Sequence, residues 1–235
     1  MFLEMYRGIA VNSNQVSSVV SRIKNFGIKG DEGYWKFLGW KLRPHVKQLF
    51  QKGTLTTKDT REGYSEFSVV PFADELGAYY YALHHNYKEG HVPLVIKARI
   101  NLKEKYVFID GRDFLYTVFV LWDKKRIVKK YGVEKAYKII TDVLRKVYGE
   151  EVLPYFEKAA ETQDHNYRIA MCNLAVNDLD VILAHANNKM VIRGRYNVTF
   201  RASFFIEAPI RPKEILDVFE PDSYKFDFIP QIDLY

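Results

Sequence analysis

Residues 133–147 read Val133-Glu-Lys-Ala-Tyr-Lys-Ile-Ile-Thr-Asp-Val-Leu-Arg-Lys-Val147, and this stretch sets the reading of the fold. Val133, Ala136, Tyr137, Ile140, Val143, Leu144 and Val147 recur three and four apart, the spacing that gathers one apolar stripe on a helix. The flanks read differently. Upstream, Val92–Leu102 and Tyr106–Asp110 are apolar, β-branched runs parted by a Lys-Glu-Lys turn, which predicts two strands. Downstream, strands are expected at 189–193 and 200–207. Pro212 suits the first turn of a closing helix over 212–219. At the chain's start, residues 2–10 read as an apolar strand that carries Arg7-Gly8. Val16, Val19, Val20 and Ile23 predict a helix over 15–26, capped by Asn12 or Asn14 and stopped by Gly27. Residues 53–62 are polar and loop-like, 64–70 strand-like and 74–87 helical. Pro154 permits a further short helix, and another is expected near 176–186. Strands toward both ends with helices in the middle predict an α+β fold, not a doubly wound parallel sheet.

Composition narrows the class. Hydrophobic residues make up 48% and charged residues 27% of the chain, which argues for a packed core and against disorder. No repeat or Gly/Ser linker interrupts the chain, so residues 1–235 are expected to form a single domain. Cys172 is the one cysteine, which excludes an intramolecular disulfide and a cysteine-based metal cage. Charge appears too early in the first residues for a secretory leader, and no apolar run reaches the ~20 residues of a membrane helix. The expectation is a cytoplasmic protein that makes no use of a membrane. Residues 1–62 hold 11 Lys+Arg against 5 Asp+Glu, while the remaining 173 hold 24 against 24. The basic first quarter therefore reads either as a face for phosphates or an acidic partner, or as a solvated surface.

Several chemistries lack their signatures. There is no phosphate-binding glycine loop, no dinucleotide fingerprint, no zinc-protease helix and no nucleophile elbow. His84 and His85 are adjacent and point to different helical faces, so with His91 they make a poor metal set, and no metal is expected. Asp110 and Asp113 form a possible carboxylate pair for a metal-dependent nuclease, though a strand-ending turn accounts for them as well. Residues 33–50 interleave aromatics with Lys36, Lys41, Arg43 and Lys47. This is either a stacking surface for single-stranded nucleic acid or an amphipathic helix with Leu38, Leu42, Val46 and Phe50 inward.

Three further stretches, taken in order, resemble the ADP-ribosyltransferase superfamily of the Arg-Ser-Glu type. The first is Tyr6-Arg7-Gly8 in the opening strand. The second is Tyr64-Ser65-Glu66-Phe67-Ser68, followed by the Ala78-Tyr79-Tyr80-Tyr81-Ala82 helix. The third is Phe204-Phe205-Ile206-Glu207, followed by Pro209-Ile210-Arg211-Pro212. The resemblance implies a split β-sheet core that binds NAD as substrate and breaks its nicotinamide–ribose bond. It also implies roles. Arg7, with Gly8, would meet the pyrophosphate or a ribose oxygen through a planar fork of donors. Ser65 and Ser68 would order the sheet around the nicotinamide ribose, with Ser68 or Ser65 bonded to Arg7 or Glu207. Tyr64 and Tyr81 would stack on the nicotinamide. Glu207 would be catalytic, stabilising the oxocarbenium-like ribose as nicotinamide leaves, much as glycosidase carboxylates do.

The sequence departs from the family at two places. Phe205 occupies the position where arginine-directed members carry an acidic or amide residue, and Ser-Glu-Phe-Ser replaces Ser-Thr-Ser. The 138 residues between Ser68 and Glu207 exceed what a compact member needs, so residues 113–160 read as a helical insertion. The acceptor is left open: a nucleic acid, an acidic protein surface, or water, which would make the protein an NAD glycohydrolase. Toxins, effectors and phage-encoded modifiers populate the family, a role that the resemblance alone implies. A non-catalytic nucleic-acid-binding domain is the rival from another class.

Overall fold

Phe2–Asn12 forms β1, and a 3-10 turn leads from it into α1, Val16–Phe26. Asn12 caps that turn, its side chain accepting from the Asn14 N–H. α1 ends at Gly27, whose φ of 74° suits glycine and whose N–H reaches back to the Ile23 carbonyl. Leu38–Leu42 is β2 and Pro44–Gln51 is α2. Tyr64–Ala73 is β3. The Asp74 carboxylate accepts from Gly77 N and starts α3, Glu75–Tyr80, which runs on into a π-helical turn at Tyr81–His85. His91–Asn101 is β4 and Val107–Ile109 is β5. Six helices follow among the described residues: α4 (Leu115–Leu121), α5 (Arg126–Tyr131), α6 (Val133–Tyr148), α7 (Leu153–Ala160), α8 (His165–Val176) and α9 (Leu179–Asn187). β6 (Ile192–Arg193) pairs with β7 (Thr199–Phe200), and β8 (Ser203–Glu207) and β9 (Ile215–Phe219) close the order. This computed structural model describes residues 1–30, 38–56, 58–59, 64–110, 114–187, 192–193, 199–200 and 203–222.

The result is a mixed α/β protein whose main sheet runs β5-β8-β3-β1-β4-β9, with β2 pairing on β3. The chain divides into two compact units. One comprises Met1–Gly39, Glu66–Val107 and Phe200–Asp227; the other comprises Trp40–Ser65, Phe108–Thr199 and Phe228–Tyr235.

In the first unit the ladder between β1 and β4 is unbroken and antiparallel, from Phe2 opposite Asn101 to Asn12 opposite His91. β3 pairs with β8 from Val69–Glu207 to Ala73–Ser203. Between β1 and β3 the register holds at a single described pair, Tyr6 with Ala73. Pro71 helps explain this seam, because it has no N–H to continue a ladder. α1 covers one face, where Ile23, Leu94, Ile96 and Val218 pack with Ile9 and Val11. α3 covers the other, with Ala78, Ala82 and Val95 at its centre.

The second unit is helical. On α6 the expected stripe is buried from Ala136 to Val147 except for the half-buried Tyr137, while Val133 stays 59% exposed. Phe156 stacks on Tyr137 at 5.6 Å and meets Trp122 edge-on at 6.2 Å. The helices expected over 113–160 are there, and α8 and α9 extend the helical run to Asn187.

Two expectations fail. The closing helix over 212–219 is a 3-10 turn at Pro212–Glu214 followed by β9. Val218 lies opposite Ile96 and packs on α1, so sheet pairing and burial override the helix-starting proline. The amphipathic helix read through Leu38 and Leu42 begins only at Pro44, since 38–42 is strand. No single described helix is long and apolar enough to cross a membrane; α8 and α9 reach that length and composition only as a pair bent by 66°.

Candidate active site

Arg7 stands where β1 and β3 part. One residue beyond the Tyr6–Ala73 pair, its Nη1 donates to the Pro71 carbonyl at 2.8 Å. The proline's oxygen, freed from a ladder, thus holds the guanidinium across the seam. Arg7 lies opposite Ile96 and so faces the α1 side of the sheet. It is half-buried, and that burial pushes its pKa down to about 10, which leaves it cationic at neutral pH. A guanidinium carries five N–H donors. Among the described residues the Pro71 carbonyl is the one hydrogen-bond partner of this one, and no carboxylate pairs with it. Glu4, three residues before, is held by Lys97 at 2.9 Å and Arg99 at 2.9 Å.

Gly8 has a different duty. A Cβ on Gly8 would stand 1.9 Å from the Ala78 carbonyl oxygen and 2.6 Å from Ala82 N, so only hydrogen lets α3 lie this close to β1. The Asn86 Nδ2 donates to the Gly8 carbonyl at 3.0 Å. The two alanines of the Ala78-to-Ala82 motif are therefore the contact surface of the helix. The side of Gly8 expected to meet a cofactor is occupied by protein. Tyr81 begins the π-helical turn, half-buried, with its ring edge-on to Tyr80 at 5.9 Å and His85 at 5.3 Å.

Ser68 and Glu207 belong to the neighbouring strands β3 and β8. Ala208 N donates to the Ser68 carbonyl at 3.0 Å. A Cβ built on Gly30 would lie 2.8 Å from Ser68 Cβ and 2.7 Å from Ala208 Cβ. The backbone at Gly30 thus packs over that face, held there by the bridge between Ile28 and Ile210. Glu207 lies opposite Val69, so strand alternation turns it away from the face of Ser68. Its carboxylate accepts from Tyr106 N at 3.2 Å while its own N–H donates to the Tyr106 carbonyl at 2.9 Å. Arg7 and Ser68 share the α1 side of the sheet, and Glu207 does not. Among the described residues no hydrogen bond joins any two of the three, so the bond expected from Ser68 to Arg7 or Glu207 is not formed. Tyr64 and Ser65 lie at the start of β3, and their side chains fall outside the described residues.

A cluster that the sequence reading missed secures the turn after Glu207. Lys105 Nζ donates to the carbonyls of Glu207 and Pro209 and lies 3.8 Å from the Glu214 carboxylate, with both side chains almost fully buried. Burial lowers the Lys105 pKa, and Glu214 opposes that. Glu214 accepts from Arg211 N at 2.6 Å and pairs with Arg211 Nη2 at 2.6 Å; Arg211 also reaches Glu104 at 3.0 Å. The three-residue spacing of Arg211 and Glu214 was a visible signal for an ion pair across one turn.

Of the other candidates, Asp113 lies outside the described residues. Among those described, no three His, Cys, Asp or Glu gather to hold a metal. Cys172 is buried, which pushes its pKa up to about 12, against a nucleophilic role. In the basic tract, Lys36 and Lys41 have no described side chains, Arg43 is exposed, and Lys47 is tied to Asp178 at 2.7 Å. A groove of about 500 Å³ in the helical unit already has its charges engaged: Lys158 pairs with Glu161, and Asp164 caps α8.

Comparison with protein-family models, with curated proteins and with solved structures finds no match.

Proposed function

We propose that the protein consumes NAD as an ADP-ribosyltransferase, joining ADP-ribose to a macromolecular acceptor and releasing nicotinamide. The observation that carries this reading is Arg7: a half-buried guanidinium at the seam of the sheet, held by one main-chain carbonyl and with donors to spare. A planar fork in that state suits a pyrophosphate, and partial burial strengthens its hydrogen bonds. The ordered motifs add support, since their three strands are neighbours: β1 beside β3, and β3 beside β8. In the reaction the C–N bond between ribose and nicotinamide breaks, nicotinamide leaves with the bonding pair, and the acceptor's nucleophile takes the ribose carbon. Glu207 closes β8, on the face of the sheet away from Arg7 and Ser68. To serve the developing cation its carboxylate must leave Tyr106 N and reach the ribose around the end of β8.

The experiment is Glu207→Gln assayed with NAD labelled in both halves, followed through protein, nucleic acid and free nicotinamide. The amide oxygen can still accept from Tyr106 N, so the fold should survive. Nicotinamide release should fall by at least ~100-fold while NAD affinity changes little, because the carboxylate's charge acts mainly as positive charge develops. A turnover within a few-fold of wild type removes Glu207 from the mechanism, and no release by the wild type removes the reading itself.

A further inference from the structure

Net charge hides a local segregation. Residues 63–235 balance at 24 Lys+Arg against 24 Asp+Glu, yet 7 of those cations and 1 of those carboxylates fall within residues 124–138. The segment is α5, the Gly132 corner and the first turns of α6. Lys124, Arg126, Lys129, Lys130, Lys135 and Lys138 are all exposed, and among the described residues none has a carboxylate partner. Arg126, Lys129 and Lys130 lie three and four apart and so share one face of α5. Between them and α6 sits Tyr131, 40% exposed, with Lys130 Nζ 4.8 Å and Lys135 Nζ 5.2 Å from its ring centroid.

We propose that this α5–α6 corner binds single-stranded nucleic acid: phosphates on Lys129, Lys130 and Lys135 draw the last two off the Tyr131 ring, and a base stacks there in their place. Cations that track a backbone beside an exposed ring are the chemistry that holds single strands without sequence preference. A duplex offers the same phosphates but no open base face. An anionic membrane would ask for an apolar face, and among the described residues of this segment Val133 alone is an exposed aliphatic. The Gly132 backbone at φ 80° breaks the helix here, so Tyr131 and the lysines of both helices come to one corner. The inference supplies an acceptor class for the NAD reading, but it is tested without NAD, so either can fail alone.

The test uses the full chain and fluorescence anisotropy with labelled 20-mers of oligo-dT, of oligo-U and of a DNA duplex, over a salt series. Tyr131→Ala should weaken single-strand binding about 5- to 150-fold, the range of one lost base stack, and leave duplex binding nearly unchanged. Tyr131→Phe should keep it. The triple variant Lys129→Gln, Lys130→Gln, Lys135→Gln should reduce the slope of log affinity against log salt by about 2, given ~0.7 per phosphate on single strands. A control triple at the exposed Lys88, Lys103 and Lys213 removes the same charge elsewhere. Equal losses in the two triples would make net charge the only cause and overturn the proposal. So would binding of anionic vesicles in preference to oligonucleotides, or no oligonucleotide binding by wild type at 50 mM salt.

Discussion

Two arginines in this molecule leave water to different degrees and end in opposite states. Arg168 on α8 is 2% exposed and makes four hydrogen bonds: it grips Asp123 with two nitrogens at 2.9 and 3.2 Å and donates to the carbonyls of Thr162 and Val120. Arg7 on β1 is half-buried with one carbonyl for partner. A buried charge is tolerable when its hydrogen bonds are made, so Arg168 is a brace whose work is finished in the folded chain. Among the described residues, Arg7 keeps donors that no other protein group takes up. The helical unit repeats the first pattern elsewhere. The Tyr155 hydroxyl donates to Asp178 at 2.7 Å, Asp178 also takes Lys47, and His185 stacks on Tyr148 at 4.4 Å with its Nδ1 near the Val147 carbonyl. Among the described residues, Trp122 Nε1 departs from this pattern, buried in the core without a partner.

Breaking the brace should have the largest effect. Arg168→Ala leaves the partly buried Asp123 carboxylate, whose pKa the arginine holds down, without its partner. Removing one partner of a buried pair costs about 3–5 kcal/mol, read as a lower urea midpoint. Adding Asp123→Asn to the same chain should recover part of that. A loss below about 1 kcal/mol would mean that solvent reaches the pair and that Arg168 resembles Arg7 more than the geometry says.

His185 sharpens the same contrast through pH. Burial depresses its pKa from 6.5 to about 4, so the folded protein holds the neutral ring. The unfolded chain then binds the extra proton between those values. The stability this gives is fully present above pH 6.5 and is lost as pH falls toward 4, by up to about 3 kcal/mol at 1.36 kcal/mol per unit. Unfolding free energies measured from pH 7 to pH 4.5 should fall more steeply in wild type than in His185→Phe; parallel curves would show a hydrated histidine.

The smallest expected change in the fold comes with Arg7→Lys. Lysine keeps the charge and one bond to Pro71 but cannot present two parallel donors. Stability should shift by less than about 1 kcal/mol, while NAD affinity by calorimetry weakens by about 1–3 kcal/mol, the scale of a hydrogen bond to a charged group. Unchanged NAD affinity in a folded variant would reduce Arg7 to a second brace.

Much of this was legible in the residues alone, wherever a local rule had no competitor. The stripe from Ala136 to Val147, the Gly27 stop, the strands flanking Lys103–Lys105 and the α+β class all follow from short-range periodicity and turn chemistry. α8 was missed because Ala170, Met171, Cys172, Leu174, Ala175 and Val176 are buried on every side, which leaves no stripe to read. β9 was misread because Pro212 announces a helix, and only β4, more than a hundred residues earlier, converts Ile215–Phe219 to strand. The site divides in the same way. Arg7, Ser68 and Glu207 could be singled out as residue types in order, but strand alternation decides which of them share a face. That Pro71 would hold Arg7, that Gly8 would be filled by Ala78, and that Tyr106 would take up Glu207 are long-range contacts with no trace in local pattern. Periodicity is written within a few residues of chain; the partners of a polar group are chosen by whatever the tertiary fold brings within 3 Å.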